Sequence, residues 1–338
     1  MDTQALINTA RALVAGDKGL LAMDESNATC NKRFAKLGIP QTEKYRKAYR
    51  ELIVTTPNLS KCVSGAILFD ETIHESTKDG VLFIDILKNA GIIPGIKLDQ
   101  GTVELAGFPG EKITEGLDGL RERLPEYYKL GARFAKWRAV ITIEKDIPTL
   151  GCIDANVHAL ARYAAICQEA GLVPIVEPEV LMDGTHTIER CFEVTEETQL
   201  ALFHQLYIQR VNLQAVILKP NMVIPGKDCP KQESVDTVAD ETIRCLLQTV
   251  PAIVPGVAFL SGGQSAQQAT AHLNAMHVNY KSKLPWAVTF SFSRAIQQPA
   301  LELWMGKESN VAIAQKMLYH RASLDNSARR GDYNSAME

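Results

Sequence analysis

ARFAKWRAVI at 132–141, DANVHALARYAAICQEAG at 154–171 and LVPIVEPEV at 172–180 read together as strand, helix and strand, and this unit decides the fold. The outer pieces carry apolar runs too short for a helix and typical of a strand buried on both faces. In the middle piece, Val157, Leu160, Ala161, Ala164 and Ala165 recur at i, i+3, i+4, i+7 and i+8, the stripe of a helix with one buried face. Asp154 is the candidate N-cap, and Ala170-Gly171 supplies the stop, because Gly accepts the left-handed conformation just past a helix end. Six further apolar runs begin at Gly19, Val63, Ile92, Leu213, Pro255 and Pro285. The same stop recurs at Ala90-Gly91, a glycine (Gly131) precedes the fourth run, and Thr195, Ser234 and Ser265 are candidate caps for later helices. Strands that alternate with helices pair in parallel through crossovers. Eight units at a spacing of about forty residues predict an α/β protein, a closed (β/α)8 TIM barrel rather than an open sheet. An open doubly wound sheet would carry a glycine turn after its first strand, and MDESNA (23–28) contains no glycine. The expectation is a single domain over 1–338 with a short C-terminal tail from about 325.

Composition supports a large core: 46% of the 338 residues are hydrophobic and 22% charged. Thirty-six basic residues against 39 acidic ones give a net charge of −3, which argues against broad electrostatic binding of nucleic acid. No apolar run approaches the ~18 residues of a membrane-spanning helix. The N-terminal MDTQALINTARALVAGDKG lacks a basic and an apolar leader region, and Leu6, Ala10, Leu13 and Val14 suit a short amphipathic helix. Seven scattered cysteines without a CxxC pair read as reduced core thiols. The expected setting is cytoplasmic, with no nucleic-acid or membrane partner; a plastid stays open should a transit segment have been removed.

The polar residues sit at the strand ends: Asp24; Asp70; Lys97 and Asp99; Lys136 and Arg138; Glu177 and Glu179; Lys219; Ser261; Ser291, with Arg294 just beyond. Side chains two apart on a strand share a face. The pairs 97/99, 136/138 and 177/179 therefore each point one way, and in a barrel they converge on the C-terminal mouth, where barrel enzymes keep their chemistry. None of the seven histidines lies at a strand end or in an HxH or HExxH pattern, so a His-rich metal site is not expected. An all-carboxylate Mg²⁺ site from Asp24, Glu177 and Glu179 would face competition from the neighbouring lysines.

The lysines point to carbonyl chemistry. A lysine nucleophile must be neutral, and both burial and a second nearby cation push its pKa down. Lys219 and Lys136 in one mouth would provide both effects, with Glu177 or Glu179 moving the protons of carbinolamine formation and dehydration. FLSGGQS after the seventh strand offers the backbone N–H groups of Ser261, Gly262 and Gly263 to a phosphate, and Arg294 could fork onto its oxygens. Barrels often hold a phosphate between the loops after strands seven and eight. Lys32 and Arg33, after the first strand, form a second basic pair on the same mouth, so a substrate with phosphates at both ends is expected. LSGGQ also occurs in ATP-binding-cassette ATPases, but those need GxxxxGK[ST], and no segment fits it.

LAMDES (21–26), KRF (32–34), GIKLDQG (95–101), FAKWRAV (134–140), IVEPEV (175–180), LKPNM (218–222), FLSGGQS (259–265) and WAVTFSFSRA (286–295) stand in one order along nearly the whole chain. Together they resemble the Schiff-base, class I fructose-1,6-bisphosphate aldolases of the eukaryotic type. The resemblance implies a metal-independent, cofactor-free lyase, a homotetramer, that reversibly cleaves fructose 1,6-bisphosphate to dihydroxyacetone phosphate and glyceraldehyde 3-phosphate. It implies Lys219 as the Schiff-base residue, Glu177 as the general acid/base of carbinolamine turnover and Asp24 as the base for the C4 hydroxyl. Lys136, Lys97 and Glu179 would tune charge around the imine, and Lys97 and Arg138 would also line the substrate site. Ser261, Gly262, Gly263, Ser291 and Arg294 would hold the C1 phosphate, and Ser26, Lys32 and Arg33 the C6 phosphate. The alternatives are a Schiff-base aldolase for another ketose bisphosphate such as sedoheptulose 1,7-bisphosphate, a metal-dependent barrel lyase using Asp24 and Glu177, and a silent barrel used as a scaffold. Three departures stand out. Asn27-Ala28 replaces the Thr-Gly usual after DES, Gln100 replaces a usual Lys, and the chain ends GDYNSAME, with Tyr333 five residues before Glu338, where relatives carry a longer tail with a terminal aromatic hydroxyl.

Overall fold

The computed structural model describes residues 2–338 and contains all eight expected strands. They are β1 Gly19–Met23, β2 Val63–Leu68, β3 Ile93–Lys97, β4 Phe134–Ile141, β5 Val173–Val180, β6 Ile217–Leu218, β7 Gly256–Phe259 and β8 Ala287–Phe292. All neighbours pair in parallel, and β1 pairs with both β2 and β8, so the barrel closes. The helix of the opening unit runs Leu150–Glu169, and its cap is Thr149, whose hydroxyl accepts from the Cys152 amide; the expected cap, Asp154, lies inside the first turns. Thr195 is likewise interior to the helix Ile188–Ile208, which Thr187 caps. Ser234 and Ser265 do cap helices, the latter in a capping box with Gln268. Gly91 and Gly171 take the left-handed conformation at their helix ends. The last helix continues from Val311 to Arg330, so the tail starts at Gly331 rather than near 325, because Arg329 is anchored by its guanidinium to the Val14 and Lys18 carbonyls. A two-stranded hairpin, Thr102–Glu104 with Lys112–Thr114, follows β3 and had no signal in the apolar pattern, since its first strand is fully exposed.

Two apolar clusters follow from strand parity. One lies between strands and helices. The other fills the barrel: Leu20, Ala22, Ile67, Phe134, Val173, Ile175, Ile217 and Ala258, closed at the N-terminal end by Leu6, Ile7, Ala10, Leu13 and Val14 of the helix Thr3–Leu13 and its cap. Small residues make room for this plug. A Cβ on Gly256 would stand 2.6 Å from Val14, and one on Gly95 only 2.3 Å from the Phe134 ring. Gly95→Ala is therefore expected to lower stability by about 1–3 kcal/mol through overpacking, read as a lower urea midpoint at unchanged m-value; an unchanged midpoint would mean that Phe134 repacks freely.

With this lower layer apolar, the next inward positions on the same strands, toward the C-terminal ends, are Asp24, Lys97, Lys136, Glu177 and Lys219.

Candidate active site

The mouth opens into a cavity of about 1210 Å³. Every residue expected at the site lines it: Asp24, Ser26, Lys32, Arg33, Lys97, Lys136, Arg138, Glu177, Glu179, Lys219, Ser261, Gly262, Gly263, Ser291 and Arg294. At its floor lie Lys136, Glu177 and Lys219, only 3%, 4% and 4% exposed. Glu177 bridges the two amines, with Oε1 at 3.0 Å from Lys219 Nζ and Oε2 at 3.2 Å from Lys136 Nζ. Lys136 also meets Asp24 at 2.8 Å and Asp99 at 3.7 Å.

This arrangement corrects one expectation. Burial does work to lower the Lys136 pKa, but Asp24, Glu177 and Asp99 together outweigh it and hold the pKa well above the usual lysine value. Lys136 is thus locked as a cation and is not a candidate for the neutral amine nucleophile. Asp24 shows the reciprocal effect: burial would raise its pKa, yet Lys136, Lys219 and Lys97 bring it down to about 2. Its carboxylate is ionised at any neutral pH.

Around this centre the charges pair off. Lys97 Nζ sits 2.6 Å from Asp99 Oδ1 and over the Phe69 ring. Asp99 was legible only as a strand-end acid; its Oδ2 accepts the Arg138 amide N–H and its Oδ1 the Gly101 amide N–H. Glu179 pairs with Arg138, so it does not join the lysine cluster directly.

The two expected phosphate sets differ. Gly262 and Gly263 both have left-handed φ values, 60° and 94°, and a Cβ on Gly263 would come within 3.4 Å of Arg294 Nη2. Arg294 is solvent-exposed and forms no ion pair among the described residues, and the Ser291 hydroxyl is buried without a partner. This set has donors to spare. On the other side, Ser26 caps the helix Asn27–Lys36 through the Thr29 amide. Arg33 is paired with Glu25 and donates to Gln298 Oε1 at 3.2 and 3.1 Å. Most of its guanidinium is committed, which leaves Lys32, exposed, as the freer cation there. Glu25 also holds Arg50 at 2.8 Å and accepts from the Ser293 hydroxyl. Sequence reading missed Glu25 and Arg50: Glu25 also lines the cavity, just past the end of β1, and its partners come from the following helices and from Ser293 beyond β8. Asn27 donates to Glu71, which is clamped by Arg46.

Tyr333 does not line the cavity. Its hydroxyl donates to Glu338 and its amide to Asn274 on the helix Ala266–Tyr280. Among the described residues no three His, Cys, Asp or Glu side chains gather to hold a metal ion. No helix among them is long and apolar enough to cross a membrane, and all seven cysteines are free and buried.

A family model described as fructose-bisphosphate aldolase class-I matches residues 5–338. A Xylella fastidiosa protein called probable fructose-bisphosphate aldolase class 1 is 59% identical over 98% of this chain and 99% of its own. The Arabidopsis thaliana fructose-bisphosphate aldolase 4, cytosolic, is 50% identical over 98% of this chain and 84% of its own. The co-crystal structure of Plasmodium falciparum fructose-bisphosphate aldolase with TRAP and a small-molecule inhibitor superposes with a TM-score of 0.96 at 46% identity, covering 98% of this chain and 96% of that one. A closed eight-stranded barrel with its charged residues gathered at one mouth therefore has a family as well as a geometry: the chain belongs to the class I fructose-bisphosphate aldolases.

Proposed function

We propose that this metal-independent lyase cleaves fructose 1,6-bisphosphate through an imine on Lys219. The observation that carries the assignment is Glu177, whose two oxygens span Lys219 and Lys136 at 3.0 and 3.2 Å. With Lys136 held cationic by three carboxylates, Lys219 is the amine of the pair left to react.

In this reading the Lys219 ammonium first gives a proton to Glu177, the neutral Nζ bonds to the ketose C2, and the proton then in excess on the nitrogen moves to the former carbonyl oxygen to give the carbinolamine. Glu177 then protonates the departing hydroxyl, water leaves, and a protonated imine remains. Asp24, ionised, accepts the proton of the C4 hydroxyl as the C3–C4 bond breaks. The bonding pair flows into the imine, an enamine forms, and glyceraldehyde 3-phosphate departs. Protonation at C3 and hydrolysis of the imine release dihydroxyacetone phosphate. Lys136, Lys97 and the Arg138–Glu179 pair set the charge around these steps. Ser261, Gly262, Gly263, Ser291 and Arg294 take the C1 phosphate, and Lys32, with Ser26 and Arg33, faces the C6 phosphate; the phosphates orient the substrate from outside the reacting bond.

The reading includes a cytosolic setting, in keeping with the cytosolic relative. It also includes self-assembly, to a tetramer by family resemblance. Tyr207, 79% exposed, lies with Leu200 and Ile208 on the helix Ile188–Ile208 and offers copies of the chain apolar surface to bury.

Borohydride reduction in the presence of dihydroxyacetone phosphate tests the assignment. One covalent adduct is expected, and peptide mapping should place it on Lys219. An adduct on Lys136 or Lys97, or none, would overturn it.

A further inference from the structure

Gln264 follows the Ser261–Gly263 turn and lines the cavity beside it, with His272 behind Gln264, and neither is used by the chemistry above. Both are buried. The Gln264 amide nitrogen donates to the Ser261 carbonyl at 3.0 Å and touches Met222 Sδ at 3.6 Å. The Gln264 backbone N–H donates to that same carbonyl, also at 3.0 Å, closing the turn. With its NH₂ committed to the carbonyl, the Gln264 side-chain oxygen faces the other way. It lies 2.6 Å from Nδ1 of His272, nearly two turns into the helix Ala266–Tyr280. That oxygen can only accept, so His272 carries its proton on Nδ1. The chain of donors therefore has one direction, from His272 to Gln264 to the Ser261 carbonyl.

The turn needs such a brace. Gly262 and Gly263 both sit at positive φ, and glycine gives the backbone many other conformations to visit. A phosphate gripped by successive N–H groups requires them to point one way before it arrives. Ser261 is the residue where the relay ends and the row of N–H groups begins.

We propose that His272 is a positioning residue for the phosphate site, holding the Ser261–Gly263 turn in its anion-binding form through Gln264. The proposal rests on the reading that this turn holds the C1 phosphate. His272 touches no substrate atom, and burial keeps its imidazole neutral by pushing its pKa down to about 4, so the brace adds no charge to the site.

The test uses three variants of the full chain. His272→Leu removes the donor. His272→Asn restores it, since an Asn Nδ2 occupies about the place of the imidazole Nδ1–H. Gln264→Met keeps the bulk of Gln264 and breaks the relay without altering the helix. His272→Leu and Gln264→Met are expected to raise both KM for fructose 1,6-bisphosphate and the dissociation constant of dihydroxyacetone phosphate about tenfold, with kcat within twofold of the parent. His272→Asn should return both to near the parent values. If His272→Leu lowers the melting temperature but leaves KM unchanged, or if His272→Asn fails to rescue, the brace has no role in binding and the proposal falls. Should His272→Leu not fold, an unchanged KM in Gln264→Met overturns it equally. Borohydride trapping at saturating dihydroxyacetone phosphate separates the two readings. Lys219 should still be labelled in every variant, whereas absence of labelling in the parent would overturn the imine reading and this proposal's substrate with it.

Discussion

Lys219→Met is expected to lower kcat by about 10⁵-fold or more, because removal of a covalent nucleophile closes the path through the imine altogether. The loss should fall on kcat. The turn at Ser261–Gly263, Arg294 and Lys32 lie outside the substitution, so the dissociation constant of the bisphosphate should change by no more than a few-fold. The fold should hold as well. Glu177 loses Lys219 at 3.0 Å but keeps Lys136 at 3.2 Å, so its buried charge remains paired. Steady-state kinetics, equilibrium dialysis with the bisphosphate and a thermal melt read the three quantities separately. Activity within a hundredfold of the parent would place the nucleophile elsewhere.

Lys136→Met should act differently, on fold and chemistry together. It removes a cation shared by three buried carboxylates; Glu177 keeps Lys219 and Asp99 keeps Lys97, but Asp24 loses its ion-pair partner. Breaking a buried ion pair on one side costs about 3–5 kcal/mol, since the remaining charge is left unpaired. The sign of the pH dependence follows. In the parent, Asp24 titrates at about 2, below the unfolded value of about 3.9. Its contribution to stability is therefore fully present above about pH 4 and is lost only as pH falls toward 2. In the variant, like charges crowd the site and carboxylate pKa values rise, so protonation begins to relieve the repulsion at higher pH. The stability gap between parent and variant is thus expected to narrow from about pH 7 to about pH 4. Urea midpoints across that range measure it, and a gap that widened would show that Lys136 does not serve to offset these acids. A fall in kcat of about 10²–10⁴-fold should accompany it, because a protonated Asp24 is no base.

The strand-end residues were legible for a geometric reason. Parity along a strand fixes which side chains share a face, and closure of eight strands turns one face into one volume. That is enough to bring Lys97, Lys136, Glu177 and Lys219 together without any coordinates. Glu25 was missed for the opposite reason: it lies past the end of β1, where parity no longer applies, and its partners Arg50 and Ser293 come from distant parts of the chain. Burial opposes ionisation of Glu25, yet Arg50 and Arg33 hold its carboxyl below the usual range, and no local pattern around MDES announces those two neighbours.

The expectation that burial and a second cation depress a lysine in this mouth illustrates the same boundary. Burial and a nearby cation were readable from apolar runs and spacing. The competing contribution to Lys136 comes from Asp24 just past β1, from Glu177 on β5 and from Asp99 after β3. Electrostatic energy depends on distance through space, and a sequence orders residues only along the chain. Similarly, KRF after the first strand suggested two cations for a phosphate, while the structure commits most of Arg33 to Glu25 and Gln298.

By itself, then, the sequence determined the barrel, its glycine turn and the set of residues at its mouth, because hydrophobic periodicity and strand parity are local properties of the chain. The tertiary structure alone decided which lysine is locked as a cation and which arginines are free. Those properties depend on distances of a few ångströms between groups brought from opposite ends of the sequence.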